Sequence, residues 1–166
     1  MFTSIDVIRE KQQSNNKKSV KIKYVTTHND VVIRSFRIDS NINSDDFAVA
    51  HSSDVIQDLK QQELKQLERR VNSNVPVEVI ISSFKYVTMP DALIDVVNRG
   101  ATLVEVERLV NLEGIIAYML ENFTPQNVVS MTGLEESIVN LFFERVTKAL
   151  EIKDQVKSIN GSALNG

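Results

Sequence analysis

The spacing of apolar residues changes near Thr88, and this change limits the folds that the chain can adopt. Before that residue, segments such as SVKIKYVTT and VVIRSFRID alternate apolar and polar side chains, which is the period of half-buried strands. After it, apolar residues recur at steps of three and four, as on the buried face of a helix. The pattern predicts an α+β protein in which a small antiparallel sheet with one long helix precedes a helical C-terminal lobe.

The first half is predicted to contain a hairpin and a helix. A strand at about Ser19–Thr27 and a second strand, VVIRSFRID, flank His28-Asn29-Asp30, whose side chains favour a turn. The polar stretch SNINSDDF is interpreted as a loop. A helix is predicted from about Asp54 to Val71, with Ser52 or Ser53 as its cap.

Two further interpretations complete this half. The residues before the hairpin, ending in SNNKK, are interpreted as a polar leader. The alternation in VPVEVIISSFKYV predicts a third strand, in which Pro76 occupies an edge or the strand start. The predicted organisation is therefore an α/β lobe over residues 1–88, a helical lobe over 89–157 and a polar tail over 158–166.

Capping residues divide the second half into four or five helices. Thr88, Pro90 and Gly100 predict the cap, the first turn and the end of one short helix. Thr102 and Glu105 have the spacing of a capping box at the start of the next. Gly114 is expected to interrupt or kink that helix before the apolar run IIAYMLENF.

The segment NFTPQNVVSMTGLEESIVNLFFERVTKAL combines a short helix, a glycine turn and a longer helix. Thr124 and Pro125 predict the start of the short helix, and Gly133 predicts its left-handed end. The longer helix is expected to bury a face containing Leu134, Ile138, Leu141 or Phe142, Val146 and Leu150. This arrangement resembles the helix-turn-helix of many bacterial and phage regulators, and the resemblance implies a second helix that reads the DNA major groove.

The charges of this segment argue against such reading. Glu135 and Glu136 stand where the second helix would enter the groove, and its basic residues, Arg145 and Lys148, come late. Acids at a helix start also stabilise the helix dipole by about 0.3–1 kcal/mol each without any ligand. The remaining alternative is an acidic face that binds a protein.

Phe142 and Phe143 are adjacent, so they point about 100° apart on a helix. Either Phe142 lies in the core with Phe143 partly covered by a neighbouring helix, or one of them docks on a partner. The candidate partner-binding residues are Glu135, Glu136 and Phe143.

The front of the chain is basic, because residues 1–40 carry eight Lys or Arg against four Asp or Glu. Residues 91–166 carry six against eleven. Lys21 and Lys23 share one strand face, and Lys17, Lys18, Arg34 and Arg37 are expected to join them across the hairpin. Such a patch suits nucleic acid or an acidic protein. It also suits a solvated face that resists aggregation, or a contact with the acidic half of another copy.

Several kinds of chemistry find no support in the sequence. The chain has no cysteine, and its two histidines, His28 and His51, lack metal-ligand spacing. Its five glycines assemble no phosphate loop or dinucleotide fingerprint. We therefore expect no cofactor, no metal and no enzymatic activity. No apolar run reaches the roughly 20 residues of a membrane span and no secretory signal is recognised, so a cytoplasmic location is expected.

The expected function is that of a protein-interaction or assembly component that self-associates or docks on a larger complex. An Asn-, Ser- and Lys-rich chain without cysteine or tryptophan would suit a phage or mobile-element structural or assembly factor, in which case the location is the host cytoplasm or the virion. The alternative is a DNA-binding transcriptional regulator. For that alternative, the candidate nucleic-acid-binding residues are Lys21, Lys23, Arg34, Arg37, Arg145 and Lys148.

Overall fold

The structure, a computed structural model, describes residues 1–71, 74–102 and 113–165. Its described elements form an α+β fold, with a small antiparallel sheet and a helical C-terminal part, which confirms the predicted fold class. In chain order they are β1 (Phe2–Gln12), β2 (Lys17–Thr26), β3 (Val31–Asp39), α1 (Ser44–Arg70), α2 (Val77–Ser82), α3 (Met89–Thr102), α4 (Glu113–Asn122), α5 (Pro125–Thr132) and α6 (Glu136–Asn165).

The chain divides into two compact units, Met1–Gln62 and Glu63–Gly166. This division falls inside α1, whereas the sequence pattern places a lobe boundary near residue 88. The reason is that α1 supplies both cores, with Val55 in the first unit and Leu64 in the second. The segment predicted as a polar tail is helical as far as Asn165, where α6 ends.

The strands form one antiparallel sheet in the order β1-β2-β3, so β2 is central. The predicted hairpin is confirmed, because β2 pairs with β3 from Lys17 with Asp39 to Val25 with Val31. Asn29 turns this hairpin with a φ of 65°. Asparagine tolerates the left-handed backbone better than most residues do.

β1 occupies the segment interpreted as a polar leader, and that interpretation is wrong. Phe2, Ile5 and Val7 pack against the first unit's core. Their spacing is uneven because the register with β2 shifts between Phe2 and Ser4, and again between Val7 and Arg9. Such bulges place an extra residue in one strand, so β1 lacks the simple alternation that marks β2 and β3.

The core of the first unit lies between one face of the sheet and α1. Val20, Ile22 and Tyr24 of β2 are almost fully buried against residues of α1 that include Val55. The hydroxyl of Tyr24 donates a hydrogen bond to the carbonyl oxygen of Ala48 at 2.8 Å. Burial raises the pKa of Tyr24. The other face of the sheet, called here the outer sheet face, carries the odd-numbered residues of β2 and their neighbours on β1 and β3.

α1 begins at Ser44, about ten residues before the predicted start. Asn43 is its cap, because the Asp46 N–H donates to Asn43 Oδ1 at 3.0 Å. Ser52 and Ser53 lie inside the helix, so their predicted role as caps is wrong. The stretch interpreted as a loop is polar because it contains this cap and the first-turn acids Asp45 and Asp46.

The third predicted strand is wrong, because Val77–Ser82 is the short helix α2. Val77, Ile80 and Ile81 are buried, which is the three- and four-residue spacing of a helix, whereas Val79 is exposed. Packing on the second unit's core therefore overrides the strand preference of a β-branched sequence.

α3 starts as predicted. The Thr88 N–H donates to Asp91 Oδ2 at 3.0 Å and the Asp91 N–H returns a bond to Thr88 Oγ1. Gly100 lies inside α3, however, and not past its end. A Cβ there would lie 2.4 Å from Cδ2 of Phe142, so glycine permits close contact between α3 and α6. Thr102 ends α3 and Glu105 lies outside the described residues, so the predicted capping box between them stays a prediction.

Gly114 lies in the first turn of α4, which begins at Glu113. The absence of a side chain at Gly114 lets the α4 backbone lie close to Val71, because a Cβ at this position would clash with Cγ1 of Val71. Whether the glycine kinks a longer helix stays a prediction, because residues 103–112 are not described.

The short helix α5 has the predicted ends. Thr124 caps it in a reciprocal arrangement with Asn127, Pro125 is its first residue, and Gly133 ends it with a φ of 72°. α6 then buries Val139, Phe142, Val146 and Ala149. The buried face is centred on Phe142, with Ile138 and Leu150 half-buried at its margins and Leu141 exposed.

Candidate functional site

The outer sheet face brings five basic residues from all three strands together. Lys21 of β2 pairs across the sheet with Arg9 of β1 and with Ser35 of β3. In the next row, Ser19 lies between Lys11 and Arg37. Since alternate residues share a face, these side chains and Lys23 all point away from the side that meets α1.

These five cations are not neutralised locally. Within residues 1–71, which are all described, none of Arg9, Lys11, Lys21, Lys23 and Arg37 forms an ion pair. Two carboxylates share this face: Asp6 lies opposite Lys23, and Asp39, two residues from Arg37, pairs with Lys17. Because Lys17 and Asp39 neutralise each other, five unpaired cations remain against the carboxylate of Asp6, and they produce a positive potential that attracts anionic partners.

Three other basic residues predicted for this patch pair with carboxylates. Arg34 is on the side that meets α1, where its Nη2 lies 3.2 Å from Asp58 Oδ2. Lys18 is buried and its Nζ lies 2.8 Å from Glu10 Oε1. Lys17 pairs with Asp39 at one end of the sheet. The prediction that they join Lys21 and Lys23 is therefore wrong for Arg34 and Lys18. Lys17 lies at the end of the same face but is neutralised by Asp39, and Arg37 joins Lys21 and Lys23 without an ion pair.

Lys18 and Glu10 illustrate why strand position decides the role of a lysine. The register aligns Glu10 with Val20, on the core side of the sheet. Its hydrogen bond to the Lys18 ammonium holds the pKa of Glu10 below its ordinary value. This pair neutralises an ammonium that burial would otherwise destabilise.

Arg9 and Lys11 belong to the patch and sequence reasoning missed them. Both lie in the part of β1 beyond the second bulge, in the segment interpreted as a leader. The signal that could have placed them is the apolar set Phe2, Ile5 and Val7 just before them.

Apolar side chains lie next to the cations on the same face. Val25 pairs with Val31, and Lys23 with Ile33, toward the other end of the sheet. Val31 and Ile33 are 54% and 47% exposed, so about half of each residue's surface meets solvent. The outer sheet face therefore combines positive charge with accessible apolar surface.

The predicted acidic surface lies in the second unit. Glu135 and Glu136 are exposed at the start of α6. The Glu135 carbonyl accepts hydrogen bonds from the N–H groups of Ile138 and Val139, so its backbone belongs to the helix start. Two carboxylates there stabilise the positive end of the helix dipole.

Phe143 is half-buried and packs against the second unit's core. Its ring meets that of Phe142 edge to face, with centroids 5.4 Å apart, while Phe142 is fully buried. This matches the first of the two predicted arrangements, in which Phe142 lies in the core and Phe143 is partly covered. A role for Phe143 in docking stays a prediction, and truncating this side chain would also remove core packing.

Arg145 and Lys148 each interact with another residue of the second unit. Arg145 donates to the carbonyl oxygen of Ala101 near the end of α3. Lys148 Nζ lies 3.2 Å from Glu144 Oε1, one helical turn away. Both residues belong to the second unit, whereas Lys21, Lys23 and Arg37 belong to the first.

The histidine environment is aromatic. His51 stacks on Phe47 and meets Phe36 edge to face, and its Nδ1 lies 3.2 Å from Asp54 Oδ2. Within the described residues, no group of three or more His, Asp or Glu side chains could hold a metal ion. No described helix has the length and apolar character needed to cross a membrane.

Comparison with known proteins provides no relative from which a site could be transferred. Neither a family model, nor a curated protein, nor a solved structure matches this chain.

Proposed function

We propose that this chain is a non-enzymatic interaction component that binds an acidic protein surface through the outer sheet face. The observation that carries the proposal is the group of five cations on that face without an ion pair in the first unit. Long-range attraction by such a group speeds association and selects negatively charged partners.

A protein partner is favoured over nucleic acid by what surrounds the cations. Val31 and Ile33 offer apolar contact area of the kind that protein interfaces use. The described outer sheet face carries no aromatic side chain on which bases could stack. The start of α6, which would read DNA in a helix-turn-helix, presents Glu135 and Glu136.

The test compares two labelled probes, an acidic peptide of alternating Glu and Val and a mixed-sequence DNA duplex. Fluorescence anisotropy is followed at about 50 and 200 mM salt, where charge-dependent binding weakens visibly. We expect salt-sensitive binding of the peptide in preference to the duplex. The double substitution Lys21→Glu and Arg37→Glu should weaken it by at least about tenfold, because like charges then face each other.

The matched control is Lys65→Glu with Arg69→Glu, two exposed cations of α1 in the second unit. It changes the net charge equally and should leave peptide binding within about twofold. Three results would overturn the proposal: no binding at the lower salt, preference for the duplex, or equal losses in the two double variants.

A further inference from the structure

The exposed edge of β3 has unused hydrogen-bonding groups. β3 is the last strand of the sheet, and among the described strands only β2 pairs with it. At the two ends of this pairing, the Thr26 N–H donates to the Asp30 carbonyl and the Ser40 N–H to the Asn16 carbonyl. Because bonded and non-bonded pairs alternate in an antiparallel ladder, even-numbered residues of β3 bond to β2 and odd-numbered residues point their N–H and C=O groups outward.

The outward groups of Ile33, Ser35 and Arg37 are not bonded by any described residue. The other edge of the sheet is different, because the two bulges of β1 interrupt its regular spacing. β3 keeps an uninterrupted register over its nine residues. Bulges in an edge strand hinder pairing with a further strand. β3 has no such bulge, so it is better suited than β1 to pair with another strand.

We propose that β3 pairs with β3 of a second copy, antiparallel and centred on Ser35. The proposal does not rest on the proposed function, since it concerns the edge and not the outer face. The register centred on Ser35 is the one in which all nine residues of β3 find a partner. It joins outward-facing odd residues to outward-facing odd residues, as the hydrogen bonds require.

This register avoids opposing like charges between the two copies of β3. Val31 faces Asp39 of the other copy and Ile33 faces Arg37 on the outer side. On the side of α1, Val32 faces Ile38, and Arg34 faces Phe36. No like charges stand opposite each other, whereas registers centred on Arg34 or Arg37 would set two arginines face to face.

The two-fold axis of such a pair passes between the two Ser35 residues, perpendicular to the sheet. Both outer sheet faces then lie on the same side of one six-stranded sheet. The dimer doubles the cationic surface, and a partner with two acidic segments would gain avidity from it.

The test introduces a charged side chain at Ser35, the residue next to the proposed two-fold axis. Ser35→Asp and Ser35→Lys each place like charges opposite each other and should weaken dimerisation by about tenfold or more. Mixing the two variants pairs opposite charges and should restore the dimer. Sedimentation velocity against concentration measures both effects, starting from a chain mass of 18.7 kDa.

A second measurement needs no variant. Amide hydrogen exchange at Ile33, Ser35 and Arg37 should slow as the protein concentration rises, because the dimer bonds these outward groups. Ser35 is exposed, so circular dichroism of the variants should match that of the unaltered chain. A chain that stays monomeric up to about 1 mM, variants that still dimerise, or a mixture that does not recover would each overturn the proposal.

Discussion

Glu63 satisfies three consecutive backbone N–H groups with one carboxylate. Its Oε2 accepts from Lys85 at 2.8 Å, and its Oε1 accepts from Tyr86 at 2.7 Å and Val87 at 2.9 Å. Hydrogen bonds to an ionised acceptor are stronger than neutral ones. This side chain of α1 therefore fixes the connection between α2 and α3, at the point where Tyr86 and Val87 become buried.

Replacing Glu63 by Gln tests this role. Glutamine keeps the shape but turns an NH2 group toward N–H donors, so we expect a loss of about 1–3 kcal/mol in the free energy of unfolding. Urea denaturation measures the loss, and amide exchange at Tyr86 and Val87 should accelerate. Glu121→Gln, at an exposed position of α4, is the control. Equal stability of the two variants would contradict the assignment.

At the scale of the elements, local chemistry specified some of the structure and tertiary packing specified the rest. Thr124, Pro125 and Gly133 set the ends of α5 through bonds and backbone angles that those residues form themselves, so the sequence predicted them. The sequence of α2 predicts a strand because its apolar and polar residues do alternate. Only the burial of the adjacent residues Ile80 and Ile81 shows that the segment is a helix.

The candidate site shows the same division. Lys21 and Lys23 could be assigned to one face from the two-residue period of β2 alone. The same period places Arg34 and Arg37 on opposite faces of β3, but which of the two joins Lys21 depends on the register with β2, and the charge of Arg34 is used by Asp58. Arg9 required knowledge of a bulge, which no simple period reveals.

The start of α1 depends on the side chain of Asn43. Asn43→Ala should lower the free energy of unfolding by about 1 kcal/mol, since it removes the acceptor for the Asp46 N–H. Ser53→Ala, at the position that the sequence suggests as a cap, should have little effect or stabilise slightly, because alanine favours a helix interior. Thermal unfolding of both variants measures the two changes in stability. A larger loss for Ser53→Ala would contradict the observed helix start.

At the scale of the whole molecule, the net charge of −3 conceals two unlike surfaces. The first unit places its unpaired cations on the outer sheet face, while α6 of the second unit begins with exposed carboxylates. A chain with this distribution is not repelled uniformly by anions, so its negative net charge does not argue against the acidic partner proposed for the first unit.

An NMR titration of the nitrogen-15-labelled chain with the alternating Glu and Val peptide tests directly whether the outer sheet face binds an acidic partner. If the outer sheet face is the binding surface, amide shifts concentrate at Lys21, Lys23 and Arg37 and at their neighbours across the strands. The same titration of the Lys21→Glu and Arg37→Glu double variant should show almost none. Shifts that concentrate around Glu135 and Phe143, or that persist unchanged in the double variant, would contradict binding at this face.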